Sequence, residues 1–589
     1  MILHALKEYY DRKAADPESR MAPPGFEWKE IPFVLVLKPD GIPVSLDQTY
    51  EGEDKKRRAK RFLVPQAVKK TSGTASNLLW DNPEYVLGVV LKNKKRSGKK
   101  TEDDIKKLVS ERHAAFIKRL DDLGDIDDKG VQAIKLFLQR ENKAALSQVF
   151  GEAWIKLLDE GSNLTFQLAG DTGLILDRPV VKAAIQSASP ESSDEKQTTC
   201  LVTAQKEPIE RLHPAIKGVY GAQTSGANIV SFNLDAFRSF GKVRGANAPV
   251  GKPTVFAYTT ALNHLLGRDS TQRMQVGDAS TVFWAEKATG FEQQVADFFS
   301  EPPKDDPDRG ARAVESLFKS IEIGAFLIDG NGKNRFYVLG LSPNASRIAI
   351  RFWIVDTVAG MAGKIRQHFA DLRIVHGPNE KDTFSLFRLL VSTAVQGKAE
   401  NIAPKLGGET MRAILEGLPY PQTLLQAAIR RIRAEHEINY PRASLIKACI
   451  NRSTRSKNRN MKEEMKMSLD ETNTNIGYRL GRLFATLEKI QQEASPGINT
   501  TIRDRFYGAA SGTPVTVFGN LMRLKNHHLA KLDNPGRRVF FEKLLGQIID
   551  GVEAKISFPS HLNLEDQGRF AIGYYHQMQD FFVKRSDKT

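Results

Sequence analysis

The apolar period of this chain changes near Thr357, and that change constrains its fold more than any other feature. Upstream, apolar residues come in short blocks around turn residues. Phe33–Leu37 and Ile42–Leu46 flank Lys38-Pro39-Asp40-Gly41, and Arg335–Leu341 and Arg347–Ile354 flank Ser342-Pro343-Asn344-Ala345. Both patterns predict β-hairpins. In the second, Ile348, Ile350, Phe352 and Ile354 are expected on one face, with Arg347, Ala349, Arg351 and Trp353 on the other. Downstream, stripes at helical spacing take over. One joins Ile476, Leu480, Leu483, Phe484, Leu487 and Ile490; a second joins Val517, Phe518, Leu521, Leu524 and Leu529; a third joins Val539, Phe540, Leu544, Ile548 and Val552. Pro496-Gly497, Gly512-Thr513-Pro514 and Asn534-Pro535-Gly536 separate them, which predicts an antiparallel bundle with short links. The expected fold class is α+β: a mixed N-terminal α/β domain with β-hairpins and inserts, followed by an all-α C-terminal helical bundle. The expected regions are 1–356, a helical connection 357–460, and the bundle 461–589.

Smaller elements fill in the N-terminal part. Ile2, Leu3, Leu6, Tyr9 and Tyr10 share one side of an opening helix. Glu102–Leu123 and Val131–Phe150 read as helices, and Ile229–Phe232 reads as a short strand before a helix at Pro253–Leu266. Ser187–Thr199 has loop composition, and Pro302–Asp308 is an acidic, Pro-rich linker.

The chain has 589 residues, ample for roughly two to four domains. Its two cysteines, Cys200 and Cys449, make neither a disulfide framework nor a zinc site, so a reducing cytoplasm is expected. No apolar run is long enough to span a bilayer, and the N-terminus lacks the basic flank and cleavage site of a signal peptide. No basic amphipathic helix points to a membrane surface.

The net charge of +16 is unevenly spread. Lys55–Lys107 holds sixteen Lys/Arg against five Asp/Glu, a net of +11, while Arg430–Arg459 holds nine against two. The first block is a footprint for a polyanion, because each neutralised phosphate releases counterions. Within it, Lys60, Arg61, Lys69 and Lys70 suit phosphates, and Thr71, Ser72 and Asn77 suit the backbone or base edges. Trp80 has two readings: a ring that stacks on or wedges between bases, or a core residue beside Leu78 and Leu79. Lys92, Lys94, Lys95, Arg96, Lys99 and Lys100 form a basic loop suited to tracking a single strand. Gln223, Thr224, Ser225 and Asn228, and then Asn247, lie in Gly-rich loops of the kind that approach a groove; turns braced by Asx hydrogen bonds have the same composition.

Catalytic signatures are missing. No Gly-Lys pair is followed by Ser or Thr; the nearest phosphate loop, Gly245–Pro253, has one residue too many and Pro253 in place of the metal-binding hydroxyl. No His-Asp, His-x-His or His-Glu-x-x-His occurs. Asp125-Ile126-Asp127-Asp128-Lys129-Gly130 opens like a calcium loop, but Lys129 takes a ligand position and Leu136 replaces the closing Glu. His527-His528 falls in a helix, where neighbours point apart. The expectation is no catalytic residue, no metal and no cofactor.

Met1–Leu6, Arg61–Pro65, Lys69–Gly73, Asn77–Asn82, Gln223–Asn233 and Gly245–Leu266, in this order and spacing, resemble the large subunit of type I-C CRISPR Cascade. The resemblance spans roughly the first 270 residues and continues less sharply through the helical C-terminus. It implies a non-catalytic subunit of an RNA-guided surveillance complex, placed where the 5′ end of the CRISPR RNA lies. Such subunits recognise the protospacer-adjacent motif in duplex DNA, support R-loop formation, hold the displaced non-target strand and help recruit the helicase-nuclease. The implied partners are target DNA, the CRISPR RNA ribonucleoprotein, the backbone and 5′-handle-binding subunits, and separately made small subunits. The C-terminal bundle resembles a Cascade small subunit, which this family also makes from an internal start; Met461, Met465 and Met467 are candidates. The alternative is a nuclease or RNA-processing enzyme of the same defence system. The resemblance supplies no residue-level code for the motif, so the candidate DNA residues rest on their chemistry.

Overall fold

The structure is a computed structural model that describes all residues except 17, 53–56, 69, 71–73, 92–100, 142, 188–196, 277–278, 300–318, 321–322, 325–332, 459, 462, 551, 553–556 and 583–589. The chain forms two compact units. The first comprises Met1–Ile216 with Val230–His264, and the second comprises Lys217–Ile229 with Leu265–Thr589.

At the centre of the first unit lies a mixed three-stranded sheet in the order Pro43–Gln48, Phe33–Leu37, Leu164–Leu168. The first two strands are the predicted hairpin. Its turn needs Gly41: φ is +76°, and a Cβ there would lie 2.7 Å from that of Leu136. The other edge of Phe33–Leu37 pairs in parallel with Leu164–Leu168, a partner far away in sequence. Phe116 and Phe137 pack against Phe166 of that strand, with ring centres 6.4 and 6.1 Å apart. The single helix expected over 131–150 is instead two, Lys129–Leu138 and Ser147–Glu160. The Gln139-Arg140-Glu141 stretch between them has no apolar residue to continue the stripe. Asp128 caps the first of these helices, accepting from the Gly130 and Val131 N–H groups at 2.8 and 3.1 Å, and pairs with Arg178 at 2.6 Å. The calcium-like segment is thus a helix start.

The opening helix, Ile2–Ala14, buries Ala5, Leu6, Tyr9 and Tyr10. The Tyr10 ring meets Phe256 of Lys252–Leu265 edge-on. Ile229–Phe232 is not a strand; just ahead of it, Asn228 forms a bridge with Arg347.

The second unit joins an antiparallel sheet to a helical assembly. The strands run Arg273–Val276, Ala279–Ala285, Arg335–Asn344, Arg347–Thr357 in spatial order. A bulge at Gly340/Leu341 shifts the register. It splits the expected apolar face: Ile348 and Ile350 share the face of Leu339 and Leu341, Phe352 and Ile354 share that of Val338 and Gly340, and Ile350 is exposed. Trp353 stacks on Tyr337, with centres 5.4 Å apart and planes 7° apart. One apolar cluster runs from Phe283 and Phe336 of the sheet to Phe484 and Phe570 of the helices.

Helices Ile476–Ala494 and Leu564–Asp580 pack backbone to backbone. A Cβ on Gly481 would sit 2.0 Å from the Phe570 carbonyl oxygen, and one on Gly573 would sit 2.1 Å from that of Tyr478. The third predicted stripe holds at Leu544 and Ile548 and departs at its start. Helix Pro535–Asp550 buries Phe541, Leu544, Leu545 and Ile548 and leaves Val539 exposed. The whole is α+β, as the periodicity predicted.

Candidate nucleic-acid interface

In the first unit, strand Arg61–Pro65 runs antiparallel to Phe26–Glu30 and leads into a loop organised by one buried carboxylate. Asp81 accepts from the backbone N–H groups of Asn77 at 3.0 Å and Asn82 at 2.8 Å. It also receives the Lys70 ammonium at 2.6 and 2.8 Å. That ammonium sits 3.7 Å from the centre of the Tyr85 ring, with Arg112 5.5 Å from the same ring. Arg112 in turn pairs with the fully buried Glu84 at 2.5 Å. Cations, ring and carboxylates here compensate one another, so Lys70 is a fixed brace for the loop.

Two further residues of the loop face inward. The Asn77 side-chain oxygen accepts from the Val68 N–H at 3.0 Å, and the residue is buried. Trp80 is buried as well, and its indole N–H donates to the Pro65 carbonyl at 2.8 Å. Of the two readings of Trp80, the structure shows the core residue.

The exposed cations lie just ahead. Arg57, Arg58, Lys60 and Arg61 all face solvent. Lys60 is fixed through its backbone, donating to Thr49 O at 3.0 Å and accepting from Ile31 N at 3.2 Å, while its ammonium lies over the Phe62 ring. Arg57 lies over Tyr50 at 5.0 Å. Lys69, Thr71, Ser72, Lys92, Lys94, Lys95, Arg96, Lys99 and Lys100 lie outside the described residues.

The two polar loops differ in what their amides do. In the second unit, Gln223, Thr224 and Ser225 are exposed on a turn closed by Gly226 N–H to Gln223 O at 2.8 Å. Asn228, half-buried, ties this segment to the sheet: Ile348 N donates to its carbonyl at 2.9 Å. In the first unit, Asn247 turns its amide onto its own loop. Its oxygen accepts from Ser239 N at 3.0 Å, and its nitrogen donates to Lys242 O and Arg244 O at 3.2 and 3.0 Å. The amides of Asn77 and Asn247 are therefore engaged within the chain.

The second basic stretch has an internal part, while Arg430, Arg433 and Lys457 are exposed. Lys447 is fully buried and reaches Glu463 at 2.8 Å. Arg452 bonds Asp371 at 3.2 Å and the carbonyls of Ala413 and Leu418. Arg442 bonds Ser392 O at 2.9 Å and also pairs with Glu435.

Three strongly shifted titratable groups are packed into this same unit. Burial, then Arg452, pushes His368 down to about 3, and the ring bonds the Tyr420 hydroxyl. Burial, then Lys447, pushes His576 down to about 3, and it bonds Tyr478 at 2.9 Å. Burial pushes the Cys449 thiol up to about 12. These are neutral core groups. Among the described residues, no three His, Cys, Asp or Glu side chains are placed to hold a metal, and no helix is long and apolar enough to cross a membrane.

A basic edge on an α+β framework is the kind of surface found on proteins that handle nucleic acid, and residues 6–582 match the family described as CRISPR-associated protein (Cas_Csd1). The chain belongs to this family, the large subunit of the type I-C CRISPR Cascade. No curated protein matches it.

Proposed function

We infer that this subunit is non-catalytic and recognises the protospacer-adjacent motif in duplex DNA, supports R-loop formation, holds the displaced strand and helps recruit a helicase-nuclease. Family membership over nearly the whole chain carries this reading. The exposed edge Arg57–Arg61 supports it as a phosphate-binding surface, and the turn Gln223–Ser225 supports it as a source of base-edge contacts. Lys69, Thr71 and Ser72 belong to the same proposed duplex surface, and Lys92–Lys100 to the proposed path of the displaced strand. Lys70, Asn77, Asn228 and Asn247 act in this reading by holding the shape of their own segments, through the bonds described above.

The C-terminal bundle acts in this reading as a small-subunit-like module. A start at Met461 would retain Glu464, which clamps Arg569 at 2.5 and 3.1 Å; starts at Met465 or Met467 would discard it.

The test is binding of the assembled complex to duplexes with and without the adjacent motif over a range of salt. Lys60→Ala with Arg61→Ala should weaken both duplexes alike. Gln223→Ala with Ser225→Ala should erase the preference between them. Wild-type behaviour from both pairs would overturn the assignment of these surfaces.

A further inference from the structure

Ser239, Phe240, Gly241 and Lys242 form a tight turn, closed by the Lys242 N–H on the Ser239 carbonyl at 2.9 Å. Both central residues have positive φ, 51° at Phe240 and 70° at Gly241. Gly, Asn or Asp suit such a backbone; a bulky L-residue is disfavoured there. The Phe240 ring gains nothing from burial in return, because the residue is 98 % exposed.

The base of the turn is firmly anchored. Asn247 holds Ser239, Lys242 and Arg244 through three hydrogen bonds. Gly245 N–H donates to Arg211 O at 3.1 Å, and a Cβ at Gly245 would lie 2.2 Å from Glu210 O. Arg238, Lys242 and Arg244 flank the ring in sequence, and Asp235 offsets one of these charges by pairing with Arg238 at 2.8 Å.

An aromatic side chain displayed in an unfavourable backbone state, on an anchored turn among cations, points to a ligand and not to packing. A nucleobase offers the matching π-face, and its phosphates offer the matching charge. We propose that Phe240 stacks on a base of the target duplex at a step that is opening, with Arg238, Lys242 and Arg244 meeting the adjacent phosphates. The inference rests on the duplex-engaging role given above.

The test uses the assembled complex and a target duplex carrying 2-aminopurine beside the adjacent motif. Phe240→Ala should leave initial binding within about threefold of wild type and slow base unstacking at least tenfold. Phe240→Trp should retain opening, and its added fluorescence should be quenched by DNA. Phe240→Gly should raise the melting temperature of the protein, which separates lost function from lost folding. Opening at the wild-type rate by Phe240→Ala, with no change in Phe240→Trp emission, would overturn the proposal. So would a Phe240→Ala defect confined to assembly with the other subunits, since the turn would then be a protein contact. If the wild-type complex itself fails to engage the duplex, it is the underlying role that fails.

Discussion

Lys55–Lys107 carries sixteen Lys/Arg against five acids and Arg430–Arg459 nine against two, yet four cations of the first and three of the second meet opposite fates. Arg57, Arg58, Lys60 and Arg61 lie in solvent on short strands and loops. Arg442, Lys447 and Arg452 lie on Tyr440–Lys457, a helix buried on nearly every side, and are met by Glu435, Glu463 and Asp371. A count of cations does not separate a ligand surface from a paired interior. What separates them is the company on the same element: Leu445, Ile446 and Ile450 are buried around Lys447, so its charge requires an internal partner.

The contrast is most easily broken at Arg452. Arg452→Ala leaves Asp371 buried with a weakened partner set and frees two carbonyls, so unfolding free energy should fall by about 3–5 kcal/mol. Urea denaturation reads this directly; a loss below about 1 kcal/mol would class the residue with exposed cations. Gly481→Ala should cost about 3 kcal/mol, because the new methyl meets a backbone carbonyl that cannot move alone. A wild-type melting temperature would mean that the helix pair separates freely.

Acid should reach the interior before it reaches the surface edge. His368 and His576 are both held down to about 3 in the folded protein, against an unfolded value of about 6.5. Their contribution is complete above about pH 6.5 and is lost as pH falls toward about 3, by up to about 1.4 kcal/mol per pH unit for each ring. Stability measured between pH 7 and 5 should decline accordingly, and more shallowly in His576→Asn. A flat profile would show that the rings do not stay neutral in the core.

The smallest effect on stability belongs to the exposed edge. Lys60→Ala and Arg61→Ala should each change stability by less than about 0.5 kcal/mol. Each should also lower the slope of log K against log salt for DNA by about 0.9. An unchanged slope would remove the edge from the binding surface.

Local pattern made much of the fold legible. The Lys38–Gly41 turn, the helices at 2–14 and 252–265 and the stripe on 476–494 follow from residues close in sequence. The parallel partner of Phe33–Leu37 did not, because nothing local to Leu164–Leu168 specifies which strand it joins. The face expected to hold Ile348, Ile350, Phe352 and Ile354 is split after Ile350 by a bulge, whose position depends on the partner strand. Asn77 and Asn247 show why candidate polar residues are hard to rank. An amide that reaches a base and an amide that braces its own turn have the same composition, and only the position of Val68 or Ser239 distinguishes them. Phe240 escaped notice although a signal existed: a large aromatic between Ser239 and Gly241, next to cations on either side of the turn.

The glycine contact between Ile476–Ala494 and Leu564–Asp580 also sets an order of events during synthesis. About seventy residues separate the two helices, roughly 4–14 s of translation at about 5–20 residues per second. Throughout that interval the groove along Gly477 and Gly481 has no occupant, and Tyr478, Phe484 and Glu488 await Phe570, Tyr574 and His576. The nascent chain is most exposed to proteases and to wrong partners just before its last described helix emerges.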